Sequence, residues 1–326
     1  DDVYWRRGTD ALWLERIAVD NDNYRAALAH ARVSRDVDRE LRLANALRYF
    51  WRVRGYVEEG RRRLEEAVEL AGGVDPALRA RTLGEAGQMA FAASDYTRAR
   101  ELWAGALPIV EQLGEPREIA RALGELGACS AAEGDLRAAI PLYEASLEKL
   151  ANTDDRHGIG IMLANLAAAY EGLGEVDKAR TASLEALRLQ EEIGDEDGIA
   201  ISNLNMASLE AAAGELDAAG RHLCASLDAS QRLGYREGTA YAIGIAGEIA
   251  AARGEVEDAG LLCGAFEEQF RGLGSAPQAE EAERVRRVQE RIADRIDLEA
   301  LLERGRRLTL DESVGLARAA AVDRSR

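Results

Sequence analysis

The stretch EGLGEVDKAR, residues 171–180, places a glycine and an acid between two alanine-rich segments, and the same pattern returns along the chain. The copies stand forty residues apart, and a second chain breaker stands halfway between neighbouring copies. The turn residues are Ser94, Gly134, Gly174, Gly214 and Gly254, with a sixth copy one residue out of step at Gly55, and the halfway breakers are Gly114, Asp154, Gly194, Gly234 and Gly274. Two breakers per period indicate two elements per repeat, and a fixed period of this size is typical of a solenoid.

The segments between the breakers have a helical pattern. Ala, Leu, Glu and Arg dominate residues 118–133 and 136–150, with apolar residues three or four positions apart. Each repeat is therefore predicted to be a hairpin of two helices, and each hairpin buries its apolar stripe against the next one. Small residues at fixed phases predict close helix packing: Gly127, Ala167, Ala207 and Gly247 in the first helices, and Ala99, Ala139, Ala179, Ala219 and Ala259 in the second helices.

Two repeats carry the residues of a known motif. Counted from Gly134 these are Leu123, Leu126, Gly127, Ala139 and Tyr143, and counted from Gly174 they are Leu163, Leu166, Ala167, Tyr170, Ala179, Ala186 and Leu187. The pattern resembles the tetratricopeptide repeat over about residues 39–270. The period is longer than the usual 34 residues and resembles the longer-helix variety of bacterial regulators and kinesin light chains. The resemblance implies an all-α fold, a right-handed α-α superhelix of about six hairpins with capping helices.

The flanking segments resemble one group of such proteins. Residues 11–31, ALWLERIAVDNDNYRAALAHA, are similar to the segment that joins a winged-helix module to the repeats in STAND-type ATPase regulators of actinobacteria, of the LuxR, AfsR and MalT kind. Residues 305–317, GRRLTLDESVGLA, resemble the segment that closes those arrays. In that family an upstream NB-ARC or AAA-like ATPase is controlled by the repeats. ATP is thus expected only in a domain outside this chain, and the start at Asp1 without Met favours a piece of a longer protein.

We predict three parts in the chain. They are a helical N-terminal arm or cap at residues 1–36, the repeats at residues 37–274, and C-terminal capping helices with a frayed tail at residues 275–326. The arm contains Trp5, Trp13, Leu14 and Ile17, and it either caps the array or docks on another domain. In the C-terminal part we expect helices at about residues 278–296, from Leu298, and at about residues 310–320.

Composition restricts the partners. The net charge of −17 repels phosphate backbones, so we expect no direct binding of nucleic acid. The sequence has no signal peptide pattern and no apolar run of membrane-spanning length, so we expect a cytoplasmic protein without a membrane partner. The three cysteines, Cys129, Cys224 and Cys263, lie in predicted helices without C-x-x-C spacing, and we interpret them as reduced core thiols.

The sequence contains no pattern of catalytic residues. His30, His157 and His222 are far apart, and we interpret them as surface or interhelical residues. The segment HGIGIML has Leu163 where the third glycine of a dinucleotide-binding loop would stand, and the chain has no phosphate-binding G-x-x-x-x-G-K motif. The 59 acidic residues are spread over helix surfaces and mixed with Arg. We therefore expect no enzyme activity, no cofactor and no metal site in this chain.

Recognition by a surface is the remaining function. In stacked repeats of this kind the first helices line the concave face, so residues forty apart form ladders along a groove. Asparagine offers a donor and an acceptor, which suits the backbone of an extended peptide, although Asn165 and Asn205 could equally be polar residues tolerated on an open face. The predicted groove residues are Glu85, Gln88, Arg121, Glu125, Asn165, Asn205, Ser208, Tyr241 and Glu248.

These observations predict a sensor or protein-interaction region of a larger signal-transduction ATPase or transcriptional regulator. A protein, a peptide or a small effector would fill the groove, and the ATPase domain would be a partner in cis. The alternative is a free-standing repeat scaffold or peptide receptor. Chaperone-type acidic tails are not expected as ligands, because no Lys lies at a groove position and Glu85 and Glu125 would repel a carboxylate.

Overall fold

The computed structural model describes residues 10–69, 73–274, 276–277 and 279–322. Every regular element in these ranges is a helix, and the chain divides after Thr153 into two compact units. Unit 1 contains α1 (Asp10–Val19), α2 (Asn21–Val33), α3 (Val37–Val53), α4 (Val57–Glu69), α5 (Pro76–Ala92), α6 (Tyr96–Leu113), α7 (Pro116–Ala132) and α8 (Leu136–Leu150).

Unit 2 contains the remaining helices. They are α9 (Arg156–Gly172), α10 (Val176–Ile193), α11 (Glu196–Ala212), α12 (Leu216–Leu233), α13 (Arg236–Arg253), α14 (Val256–Leu273), α15 (Ala279–Ile292), a 3₁₀ turn (Ala293–Arg295), α16 (Leu298–Arg306) and α17 (Leu310–Ala321). The helices from α3 to α14 pack pairwise as hairpins, three in each unit. The predicted all-α class of tetratricopeptide-like hairpins is confirmed, and α8 has the predicted bounds.

The glycine-acid turn is built in two ways. At Gly134 the backbone is left-handed with φ of 85°, and Ser94 adopts φ of 61° at the equivalent position. Asp135 then caps α8, because its side chain accepts a hydrogen bond from the Ala138 amide at 3.0 Å. Glu215, in the equivalent position before α12, makes no such hydrogen bond. The longer acid therefore acts on the helix end only through its charge.

Small residues set the distance between helices within a hairpin, as the sequence predicted. A Cβ atom on Gly127 would lie 2.6 Å from Cε1 of Tyr143, so the ring occupies the space that a side chain on α7 would need. Ala139 on α8 and Ala179 on α10 are fully buried at equivalent positions of their hairpins. Close packing of this kind leaves no room for larger side chains at these positions.

Part of the N-terminal arm packs on the first hairpin of unit 1. Leu14 and Ile17 are partly buried against the unit 1 core, whereas the side chain of Trp13 is 53% exposed. Arg25 on α2 donates a hydrogen bond through Nε to Glu59 on α4 at 2.8 Å. The predicted role of Trp5 lies outside the described residues. The division into 1–36, 37–274 and 275–326 stays a prediction, since the observed division falls after Thr153.

The helices after Gly274 pack on the last hairpins of unit 2, near their predicted positions. Helix α15 lies along α13 and α14, α16 lies along α14, and α17 contacts α12, α13 and α14. Helix α16 approaches α14 closely, because a Cβ on Gly264 would lie 2.2 Å from the carbonyl oxygen of Leu302. The predicted frayed tail lies mostly outside the described residues. None of the described helices is both long and apolar enough to cross a membrane.

Candidate functional site

In unit 1, charged and amide side chains meet on α3, α5 and α7, the first helices of the three hairpins. Glu85 on α5 is buried, and its carboxylate oxygens lie 3.2 Å from Arg48 Nε and 3.7 Å from Arg121 Nη1. One turn further along α5, Gln88 Nε2 donates a hydrogen bond to Glu125 Oε1 at 3.2 Å. We call these five residues the unit 1 polar cluster. Their mutual pairing links the three first helices of this unit.

The orientation of Arg121 is fixed from three sides. Its guanidinium lies 5.3 Å from the ring centroid of Trp103, and it pairs with Glu118 at 2.9 Å besides its contact with Glu85. Cation–π and ion-pair contacts of this kind hold a planar guanidinium in one orientation. Arg121 is therefore part of a paired cluster, not an unpaired cation facing a groove.

Burial changes the pKa of two groups on α7, Glu125 and Cys129. Burial raises the pKa of Glu125, and the nearby Glu85 carboxylate adds to this effect, while the Gln88 hydrogen bond and the charge of Arg121 oppose it. Burial, together with the charge of Glu125, raises the pKa of Cys129 to about 11. The thiol of Cys129 therefore stays protonated and unreactive at neutral pH.

In unit 2, two amides stand at equivalent positions on neighbouring first helices. Asn165 on α9 and Asn205 on α11 are partly buried, and neither side chain forms a hydrogen bond within the ranges that the structure describes. One turn earlier on each helix, Ile161 is 39% exposed and Ile201 is 40% exposed. We call these four residues the amide face. Unpaired carboxamides beside exposed apolar side chains can bind both the backbone and the side chains of an extended peptide.

Near the amide face, a guanidinium is enclosed by acceptors from several helices. Arg284 on α15 is 5% exposed and donates hydrogen bonds to Glu248 on α13 at 2.6 Å, to Glu281 at 3.0 Å and to the Ser208 hydroxyl on α11 at 2.5 Å. Ser208 in turn donates to Glu171 Oε1 on α9, which lies 3.9 Å from Arg284 Nη2. We call these five residues the arginine cluster.

The carboxylates of the arginine cluster keep Arg284 in its charged form. Burial alone would lower the pKa of Arg284, but the charges of Glu281, Glu248 and Glu171 outweigh burial and raise it. A buried guanidinium without these carboxylates would be strongly unfavourable. The cluster is therefore a site built for a guanidinium, and the chain's own α15 supplies that group.

The structure brings together most of the predicted groove residues in two groups, one in each unit, and places Tyr241 apart from them. Within unit 1 it pairs Gln88 with Glu125 and Glu85 with Arg121. Within unit 2 it places Ser208 and Glu248 in the arginine cluster and leaves Asn165 and Asn205 on the amide face.

Tyr241 does not lie on an open face. It is 7% exposed, its ring centroid lies 5.1 Å from that of Phe270, and its hydroxyl donates a hydrogen bond to Glu237 at 3.3 Å. The expectation that Tyr241 lines a groove is corrected for a physical reason. Helices α15 and α17 cover α13, so this helix is buried on more sides than the first helices before it.

The histidines have the surroundings that the sequence suggested. His30 is exposed on α2. His157 Nδ1 lies 2.9 Å from a carboxylate oxygen of Asp195 in the turn before α11, and His222 Nδ1 lies 2.8 Å from Oδ1 of Asn203. Burial lowers the pKa of His222, so this ring is neutral at pH 7. His157 and His222 therefore link neighbouring helices.

The cysteines lie on three different helices. All three are free thiols, and Cys129 and Cys263 are buried as predicted, whereas Cys224 is only partly buried and not a core residue. Burial raises the pKa of each thiol. Over the described ranges, no three His, Cys, Asp or Glu side chains come together as a metal-binding group.

Two functional residues were missed by the periodicity argument, Arg48 and Arg284. Arg48 was missed because it stands at the phase that Gly127, Ala167, Ala207 and Gly247 occupy in later first helices, which predicts a packed small residue and not a charge. Arg284 had a detectable signal, since the same phase of the four preceding first helices is small or apolar: Gly124, Ala164, Leu204 and Gly244. A lone Arg at that phase indicates that the helix carrying it packs differently from the others.

Comparison with known proteins identifies the repeats. Residues 78–152 and 118–192 match the tetratricopeptide repeat family, so this part of the chain consists of tetratricopeptide repeats. The chain has no significant match among curated proteins.

Three solved structures resemble the chain in fold. BtubC from P. vanneervenii has a TM-score of 0.56 and 18% identity, over 68% of this chain and 92% of that one. A Rap protein complexed with competence and sporulation factor has a TM-score of 0.57 and 14% identity, over 81% of this chain and 77% of that one. The third is a Signal Transduction ATPase with Numerous Domains (STAND) protein with a tetratricopeptide repeat sensor, from Pyrococcus horikoshii. It has a TM-score of 0.58 and 16% identity, over 95% of this chain and 49% of that one. The chain thus spans about half of that STAND protein, and at these identities the likeness concerns the fold alone.

Proposed function

We propose that this chain is a peptide- or protein-binding sensor region, without catalytic activity of its own, of a larger STAND-type ATPase or transcriptional regulator. Tetratricopeptide repeats are interaction scaffolds, which supports the binding role. The fold likeness to the repeat sensor of a STAND protein, over 95% of this chain, supports the larger context. The fold likeness to a Rap protein complexed with a factor supports a ligand held by the repeats.

The observation that carries the proposal is the amide face. Asn165 and Asn205 present donors and acceptors that no other group in the described ranges uses, and exposed Ile161 and Ile201 lie one turn away on the same helices. A partly buried amide without a partner is unfavourable unless water or a ligand satisfies it. An extended peptide that crosses α9 and α11 would satisfy both amides with its backbone and cover both isoleucines with its side chains.

The mechanism we propose is a shift in population between conformations. A ligand that binds one arrangement of the first helices more tightly than another favours that arrangement by the difference in its two affinities. In a parent ATPase, the favoured arrangement would release the nucleotide-binding domain for exchange and oligomerisation.

The binding role is tested by locating the ligand. Short random peptides displayed on phage are panned on the protein, and the best binder is synthesised and titrated into protein labelled at the isoleucine δ1 methyls. We expect the largest shifts at Ile161 and Ile201, and none at Ile193, which is 36% exposed on the second helix α10. Shifts confined to other isoleucines would place the ligand elsewhere, and the absence of any binder would contradict the binding role.

The larger context is tested separately by sequencing the native gene upstream of the codon for Asp1. A phosphate-binding loop followed by a winged-helix pattern is the expected result. A start codon directly before Asp1 would contradict it and favour a free-standing scaffold or peptide receptor.

A further inference from the structure

Arg284 is the only basic residue that is buried in the described part of the chain. It stands on α15, after the last hairpin, and reaches back across three first helices through Glu248, Ser208 and Glu171. These three groups belong to α13, α11 and α9, and the amide face lies on the last two of these helices. The position of Arg284 is therefore equivalent to that of a bound ligand side chain.

The apolar attachment of α15 is narrow. Of its side chains that the structure describes, Val285, Val288 and Ile292 enter the unit 2 core. Most of its other residues are charged and pair within the helix, as exposed Arg286 does with Glu283. Two polar side chains add to this apolar seam: Arg284, and Gln289, whose Nε2 donates a hydrogen bond to Glu267 on α14 at 2.9 Å. The guanidinium is the part of this attachment that a ligand side chain of the same chemistry could replace.

The arginine cluster lies next to the amide face. Ser208 is one helical turn after Asn205 on α11, and Glu171 lies on α9 less than two turns after Asn165. A peptide that crosses the two amides therefore has the acceptors of the cluster within reach of one long side chain.

Charge determines which side chain can take that place. If α15 moved away, Glu248, Ser208 and Glu171 would lose the guanidinium that contacts all three of them. Two carboxylates and a hydroxyl favour a cationic side chain over a neutral or acidic one. A guanidinium offers five donors in a planar fork, which matches acceptors that surround it from several directions, whereas an ammonium is a compact point charge. The side chain that best matches the place of Arg284 is therefore another arginine.

We propose that Glu171, Ser208 and Glu248 form an arginine-recognition site, which α15 fills in cis with Arg284, and that the peptide ligand of the amide face presents an arginine that takes this place. The inference rests on the proposed function, because it names the chemistry of the ligand at the same face. In the absence of ligand, α15 occupies the site and lowers the apparent affinity for the ligand.

The chemistry of the site is tested by rescue in the full-length chain. Thermal unfolding of Arg284→Ala is followed while N-ethylguanidinium or ethylammonium is added at constant ionic strength. We expect a lower midpoint than wild type and a saturable increase with N-ethylguanidinium alone. The control is Arg286→Ala, which removes an exposed arginine of the same helix and should show neither effect. Equal responses to the two cations, or equal responses of the two variants, would overturn the site.

The role in binding is tested by panning short random peptides on wild type and on Arg284→Ala. We expect Arg284→Ala to enrich peptides with an arginine at one fixed position, which bind it at least about tenfold more tightly than wild type and are displaced by N-ethylguanidinium. Peptides that bind both proteins equally, but fail to bind Asn165→Ala/Asn205→Ala, would overturn this inference and leave the proposed function intact. If no peptide bound either protein, the proposed function would fall and the inference with it.

Discussion

At Gly127 the close approach of α7 and α8 depends on the absence of a side chain. A Cβ there would lie 2.6 Å from Tyr143 Cε1, and Tyr143 is buried, so its ring has little space in which to move. The same logic recurs at Gly84, where a Cβ would lie 2.6 Å from the ring of Trp103. Aromatic rings packed on glycines thus fix the geometry of the hairpins in unit 1, and with it the positions of Glu85 and Glu125.

We expect Gly127→Ala to destabilise unit 1 by about 1–2 kcal/mol. Overpacking of a filled core costs about 1–3 kcal/mol, which exceeds the roughly 0.5–1 kcal/mol that alanine gains over glycine in a helix. The measurement is the free energy of unfolding in urea. Gly105→Ala is the matched control, because a Cβ there meets nothing closer than 3.9 Å, and it should stabilise the protein. A gain for both variants would show that Tyr143 does not restrict this position.

At the scale of the helices, the sequence predicted local structure well. The helix at residues 136–150 was predicted at its observed bounds, because breakers and apolar periodicity are both properties of neighbouring residues. The helix expected at residues 278–296 was found at Ala279–Ile292, with a 3₁₀ turn after it. Periodicity marks Arg284 as unlike the residues at its phase, but it could not predict which groups of earlier repeats this arginine contacts.

The placement of Tyr241 has the same physical explanation. Repeat phase assigns a residue to one side of its helix, but the packing of later helices decides whether that side is open. Helices α15 and α17 cover α13, so Tyr241 enters the core against Phe270, while Asn165 and Asn205 on earlier first helices keep unpaired amides. Repeat phase therefore failed for Tyr241, near the end of the array, while the binding role of Asn165 and Asn205 stays a prediction.

At the scale of the whole molecule, the chain divides where its repeat pattern weakens. Asp154 stands in place of the halfway glycine, and the connection between α8 and α9 is five residues long, at 151–155. At three other halfway turns, residues 114–115, 194–195 and 234–235, two residues suffice. The forty-residue spacing is kept here, but the longer connection and the missing glycine coincide with the division after Thr153.

Unit 2 combines the features that a sensor requires. It has an unpaired amide face for a ligand, an adjoining site for a guanidinium, and a terminal helix that occupies this site from within the chain. Unit 1 instead pairs its charged side chains on the first helices with one another. In our proposal the ligand therefore binds to unit 2.

The most direct test of this assignment is the affinity of the selected peptide for wild type and for the double variant Asn165→Ala/Asn205→Ala, measured by calorimetry. Two hydrogen bonds at about 0.5–1.5 kcal/mol each predict an affinity roughly 5- to 150-fold weaker in the double variant. The control is Asn152→Ala, which removes an exposed amide in the loop after α8 and should leave the affinity unchanged. Equal affinity for wild type and the double variant would contradict the assignment of ligand binding to the amide face.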